Sequence, residues 1–228
     1  MADRVRVEIE DGVARIALDD GKVNAMSTAM MAEIGAALGE AEKAGAVTVL
    51  RGRQGIFSAG FDLGTFQRGP AASLEMVRAG AELILRLLAF PRPLVTVCTG
   101  HAYPMGAFLM LSADVRFGLA GAFRIGMNET AIGLTVPRFA LELARHRLTP
   151  PGFARIATAA MFAPEEAARL GYLDRVLPAD QLDAAVAEEV HRLRQLDPPA
   201  FAATKARVNE RALHAIRTAV DTEMPAAS

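Results

Sequence analysis

Short apolar runs alternate with segments of helical periodicity along this chain, and that alternation constrains the fold more than any other feature. Val5, Val7 and Ile9 alternate with polar residues, the two-residue period of a half-buried strand. Asp11-Gly12 is a turn pair, and Val13 to Leu18 reads as the returning strand of a hairpin. Ala46 to Leu50, Leu94 to Cys98 and Asp114 to Phe117 are three further strand-like runs. Between them, Ser27 is placed to cap a helix whose Met31, Ile34, Leu38 and Ala41 share a face. Residues 73–89 carry a second apolar-periodic helix, ended by Pro91 and Pro93, and Pro104 is suited to open a third. The pattern predicts an α/β core. The last third is mainly helical. Pro164, Glu165 and Glu166 make a helix start and Gly171 a stop, and residues 179–195 and 198–220 read as two more helices. The expected division is a core over residues 1–175 and a helical region over 176–228, which could close over the core or pack against another subunit.

Bulk properties exclude several classes of function. With 228 residues and a formal net charge of -1, the chain is large enough for a sizeable core and has no global attraction to nucleic acid or anionic lipid. Its one cysteine, Cys98, cannot form an internal disulfide, which suits a reducing, cytoplasmic setting. The N-terminal MADRVRVEIEDG intersperses charges among apolar residues and lacks the apolar core of a signal peptide. The longest strongly apolar stretch, Ala102 to Leu111, is too short to span a bilayer, so no membrane partner is expected. His101, His146, His191 and His214 show no metal-ligand spacing, and no metal is expected. Ser58 and Ser112 lack the elbow motif of a serine hydrolase, and Asp114 reads as structural.

Three segments carry chemistry. Phe57-Ser58-Ala59-Gly60-Phe61-Asp62-Leu63 has a glycine able to adopt an unusual turn and leave the next amide N–H aimed at a ligand; an ordinary strand-to-loop turn with Asp62 as a backbone cap is the simpler alternative. Gly100-His101-Ala102-Tyr103-Pro104-Met105-Gly106-Ala107-Phe108 leads into an apolar helix, whose first amides have no intrahelical partner and suit an oxygen acquiring negative charge. Ile125-Gly126-Met127-Asn128-Glu129-Thr130-Ala131-Ile132-Gly133 holds Glu129, the only acid between Gly118 and Leu141. A poorly solvated carboxylate there has a raised pKa and can carry protons; a surface or helix-start glutamate is the alternative.

Taken in order, these segments resemble the enoyl-CoA hydratase/isomerase (crotonase) superfamily. FSAGFDL is similar to the family's A-G-x-D-[LI] segment, GHAYPMGAF to its N-G-x-A-x-G-G-G segment, and IGMNETAIGL to the segment bearing an active-site glutamate. Residues 167–176, AARLGYLDRV, resemble its A-x-x-x-G-[LI]-V-[DN]-x-V segment. The resemblance runs from about residue 4 to residue 210. It implies a spiral of β-β-α units with a helical C-terminal trimerisation region, and hence a homotrimer or a dimer of trimers. It implies an acyl-CoA thioester as substrate, with coenzyme A part of that substrate and no separate cofactor. By position, the oxyanion amides fall to Phe61 and Met105. Ala59, Gly60, Asp62, Leu63, Gly106 and Asn128 fall in substrate-binding segments, and Lys22, Asn24 and Ala25 in the early loop that touches the coenzyme. Phe61, Tyr103, Phe108 and Met127 are expected to shape the acyl pocket.

The resemblance also separates two reactions. Family hydratases carry a second glutamate where this chain has Phe108. Moving a double bond needs only one carboxylate, taking a proton from one carbon and returning it to another. FSAGFDL and IGMNET look most like the FSAGLDL and IGLNET of mitochondrial-type 3,2-enoyl-CoA isomerases, and isomerisation is the expected activity. Hydration or another crotonase-type reaction is the first alternative, and a non-catalytic CoA-ester binder the next. Met105 departs from the family, which has glycine at the second oxyanion amide, and the tail after residue 210 is short. A positive backbone φ at Met105 would strain or distort that site.

Overall fold

A computed structural model describes residues 4–225. Strands β1 (Val5–Glu10) and β2 (Val13–Leu18) form the expected antiparallel hairpin, its two-residue turn made by Asp11 and Gly12, both at positive φ. Helix α1 (Thr28–Lys43) follows, with the Ser27 side chain accepting a hydrogen bond from the Met30 N–H. Strands β3 (Val47–Arg51) and β4 (Gly55–Ser58) precede helices α2 (Leu63–Phe66) and α3 (Pro70–Ala89). Strands β5 (Leu94–Cys98) and β6 (Gly100–Ala102) precede α4 (Pro104–Leu111). Strands β7 (Val115–Leu119) and β8 (Ile125–Gly126) precede a 3-10 turn over Glu129–Ile132 and helix α5 (Arg138–Arg147). The chain continues through α6 (Pro150–Ala154), β9 (Met161–Phe162), α7 (Pro164–Leu170), β10 (Arg175–Leu177), α8 (Ala179–Arg194) and α9 (Pro198–Glu223).

The pairing turns this list into a spiral. A six-stranded sheet has the order β1-β2-β3-β5-β7-β10, parallel from β2 onward, and a four-stranded sheet has the order β4-β6-β8-β9. In three successive β-β-α units the first strand joins the large sheet and the second joins the small one. Parallel sheets need both faces covered. The main core lies over one face of the large sheet, where Ile16, Leu18 and Leu50 meet α1, α3 and α4. On the other face, α8 lays Leu182, Val186, Val190 and Leu193 over Val47, Val49, Val95 and Val97. Helix α4 is buried on every side, as a helix without a polar face must be. Each of its Phe108, Leu109, Met110 and Leu111 side chains contributes about 1.5–3 kcal/mol of transfer free energy. Among the described residues no helix is long and apolar enough to cross a membrane.

Two elements differ from the sequence pattern, and the helical region takes one of its two expected courses. Helix α3 starts at Pro70 rather than residue 73, with the proline in the first turn, where its missing N–H costs nothing. Ile9 is 41% exposed because the far end of the hairpin projects beyond the core that half-buries Val5 and Val7. The region after residue 175 packs on the chain's own core. Besides the cover given by α8, α9 lies across α3 and α5, and β10 straddles the boundary read at residue 175. Asp114 is structural, as expected: its carboxylate accepts from the Leu94 N–H at 2.8 Å and from Lys205 Nζ of α9 at 2.7 Å.

Candidate active site

The three motif segments follow β4, β6 and β8, which are neighbouring parallel strands of the small sheet, so all three emerge side by side at one sheet edge. After β4, Gly60 takes φ +90°, a conformation an L side chain rarely adopts. The turn pairs the Gly60 carbonyl with the Met26 N–H (2.8 Å) and the Asp62 N–H with the Met26 carbonyl (3.3 Å), and it skips the amide between them. Among the described residues the Phe61 N–H therefore has no backbone acceptor. Ser58 fixes the turn: its hydroxyl accepts from the Gly60 N–H at 3.1 Å and donates to the Asn24 carbonyl at 2.7 Å.

After β6, Met105 occupies the first turn of α4, and its N–H likewise finds no backbone acceptor among the described residues. A Cβ placed on Gly60 would come within 3.6 Å of the Met105 nitrogen, so the two loops abut. Met105 is not among the positive-φ residues. It stands in ordinary helical backbone and carries no positive-φ strain.

After β8, the 3-10 turn carries Glu129. The residue is 6% exposed, and neither carboxylate oxygen has a hydrogen-bond partner among the described residues. Burial pushes its pKa up to about 7. Tyr172 is raised above the usual phenol range by burial and, secondarily, by the charge of Glu129. Glu129 is one of the residues lining a cleft of about 330 Å³, together with Ala59, Phe61, Leu63, Phe66, Val77, Tyr103, Pro104, Asn128, Ile132, Leu134, Thr135 and Pro137, and its carboxylate oxygens are buried in that wall. A larger groove of about 500 Å³ lies between the hairpin and α8, near Arg15, Arg51 and Asp183. It contains none of the motif residues, and the chemistry belongs to the smaller cleft.

The linkage of Glu129 to folding has a definite sign. Its folded pKa, about 7, lies above the ordinary 4.5, so between those values the folded state holds more protons and stability falls as pH rises. Glu129→Gln should therefore raise the melting temperature at pH 8 and leave it nearly unchanged at pH 4. An equal shift at both pH values in a thermal melt would show that the carboxylate is not desolvated.

The structure gathers some of the expected site residues and disperses others. Ala59, Phe61, Leu63, Asn128 and Glu129 line the cleft, as does Tyr103. Asp62 instead caps α2, accepting from the Gly64 N–H at 3.1 Å and the Thr65 hydroxyl at 2.7 Å. Gly106 is a close-packing residue, where a Cβ would lie 2.9 Å from that of Ser58. Asn24 is fully buried, and its side-chain amide donates to the carbonyls of Leu18 and Phe57 at 2.9 and 3.1 Å. The Lys22 and Ala25 N–H groups bond the Asp20 carboxylate at 2.8 and 3.2 Å, so this early loop is held mainly by internal contacts. Phe108 is 0% exposed and is placed off the cleft wall, edge-on to Phe139 of α5 at 5.8 Å, and Met127 is also enclosed. Because α4 is apolar all round, its neighbours decide which way Phe108 points. Phe66, Val77, Thr135 and Pro137 in the cleft wall were not anticipated; only Val77 carried a signal, as part of the periodic face of α3.

Strand pairs spiralling into two sheets, with two free amides and a desolvated carboxylate at one sheet edge, define a crotonase-type site. The enoyl-CoA hydratase/isomerase family pattern matches residues 8–226, and the chain belongs to that family of enzymes. An enoyl-CoA hydratase/isomerase family protein from Pseudomonas syringae superimposes with a TM-score of 0.96 at 38% identity, covering 99% of this chain and 98% of that one. Mitochondrial enoyl-CoA delta isomerase 1 of Rattus norvegicus is 29% identical over 187 residues, which are 78% of this chain and 64% of the rat protein. The chain thus spans a little under two thirds of that relative's length. A probable enoyl-CoA hydratase of Mycobacterium tuberculosis is 30% identical over 205 residues, 87% of this chain and 77% of its own. Identity alone does not separate the two activities.

Proposed function

We propose that this protein moves the double bond of a 3-enoyl-CoA thioester to the 2-position. One observation carries the reading: Glu129 is the single carboxylate among the residues lining the cleft. Its side chain takes a proton from C2 of the substrate. The electron pair delocalises onto the thioester oxygen, whose charge the Phe61 and Met105 N–H groups stabilise. The same carboxyl group returns the proton to C4, and the double bond settles between C2 and C3. A carboxyl pKa near 7 suits both halves of this transfer at neutral pH. Phe61, Leu63, Phe66, Val77, Ile132 and Leu134 make the cleft apolar and keep water from the dienolate.

Hydration is the second reading, favoured by the similarity to a probable hydratase. It needs one group to activate water and another to relay a proton, and α4 offers Phe108 where family hydratases have the second glutamate. A protein that only bound the ester would have no use for an unpartnered buried carboxylate, which costs stability. The reading carries with it an acyl-CoA thioester partner without separate cofactor, a homotrimer or dimer of trimers, and a cytoplasmic setting. The test is a panel of 3-enoyl-CoA, 2-enoyl-CoA and saturated thioesters, followed by the absorbance of the conjugated product. Double-bond migration is expected, with hydration of 2-enoyl-CoA slower by about 100-fold or more, since one acid/base group is missing. Robust hydration by the native protein would remove the main support for isomerisation.

A further inference from the structure

The two residues read as amide donors, Phe61 in the cleft wall and Met105 directly behind Pro104, carry bulky side chains, and both side chains reach α3. A Cβ built on Gly80 would lie 2.7 Å from both Cε1 and Cζ of Phe61 and 3.3 Å from Cε of Met105. Gly80 is buried in the interior of α3, one turn beyond the cleft-lining Val77, and its φ is not positive. Its backbone therefore gives no reason for glycine, which in a helix interior is less favourable than alanine. What glycine supplies here is room.

We propose that Gly80 is a positioning residue for the Phe61 and Met105 amides: its bare helix face receives the Phe61 ring edge and the Met105 methyl group, which sets where both side chains seat and allows a methionine at the second amide. The inference rests on the reading of those amides as the thioester-oxygen site. A methyl group at position 80 must move the ring or the thioether. The Phe61 and Met105 loops abut through Gly60, so displacing either side chain changes the placement of the two N–H groups.

The experiment compares the full-length native protein with Gly80→Ala, Met105→Gly and the double variant. The readouts are kcat and KM for a short 3-enoyl-CoA, the melting temperature, and the absorbance red shift of a bound aromatic-conjugated CoA thioester, which reports polarisation of its carbonyl. Gly80→Ala should lower kcat about tenfold, less than the loss of a whole oxyanion donor, with little change in KM. Its melting temperature should change little, because the better helix propensity of alanine opposes the crowding of the Phe61 ring, and the red shift should shrink. With Met105→Gly, the vacated thioether space can take the Phe61 ring, and adding Gly80→Ala should then cost about twofold or less in kcat, a non-additivity expected of touching residues. Equal losses in both backgrounds, an undiminished red shift, or a fall in melting temperature that tracks the fall in kcat would overturn the role of Gly80. A native protein that red-shifts the bound thioester but does not isomerise it refutes the isomerase reading and leaves Gly80 testable by the shift. A native protein that does neither refutes both.

Discussion

Glu129→Gln should reduce double-bond migration by about 10²–10⁴-fold, the usual contribution of a positioned acid/base group. The amide fills the same space as the carboxyl, and neither carboxylate oxygen has a protein partner to lose. Thioester binding should therefore be nearly unchanged, since the apolar wall and the two backbone amides are untouched. Steady-state turnover gives the first quantity and calorimetric titration with a non-isomerising thioester the second. Turnover close to that of the native protein would sink the assignment, because the cleft wall contains no other carboxylate to take over. Loss of binding together with turnover would instead make Glu129 a structural residue. For the native protein, kcat/KM should rise with pH through about 7, as the buried carboxyl becomes the base.

Asp114→Asn should be the most destabilising conservative change, by up to about 3 kcal/mol, because it breaks a largely buried pair, with side chains 5% and 17% exposed, and leaves a charge behind. The Lys205 side chain is 5% exposed and its Nζ lies 2.7 Å from the Asp114 carboxylate. Burial lowers the pKa of Lys205, and Asp114 opposes that effect. The variant faces an uncompensated ammonium beside Arg147, whose guanidinium already serves the carbonyls of Leu111 and Ala113. Removing the charge as well, with Asp114→Asn and Lys205→Met together, should recover much of the loss. Urea unfolding measures both. A single-variant cost below about 1 kcal/mol, the range of solvated surface pairs, would mean that the pair is effectively in water. The folded fraction of either variant should keep its activity, since neither residue lines the cleft.

Five strands of the large sheet were legible because they are long enough to show a period or a continuous apolar run; the sixth, β10, has three residues and was not. Nor was the small sheet. β6 has three residues and β8 and β9 two each, too few for any pattern to repeat, and tertiary neighbours place them. The site divides in the same way. Glu129 was visible as the lone acid of a long segment, and Gly60 as a glycine between small and apolar residues. The direction of Phe108 was hidden, because an all-apolar helix gives no clue to which of its faces meets the ligand. Asn24 and Asp62 sit in motif positions, yet their side chains are taken up by nearby backbone groups, a use that short polar residues often find close at hand.

The spiral also sets the order in which the molecule can assemble itself. Strands adjacent in the large sheet, such as β3 and β5 or β7 and β10, are separated by whole β-β-α units, so long stretches of chain must be closed into loops before pairing returns any free energy. Such non-local topology slows folding. The two amides arrive with the first and second units, whereas the proton carrier arrives with the third. A chain folded only as far as α4 would have a place to hold an oxygen and nothing to move a proton, so reactivity appears only when the last turn of the spiral closes.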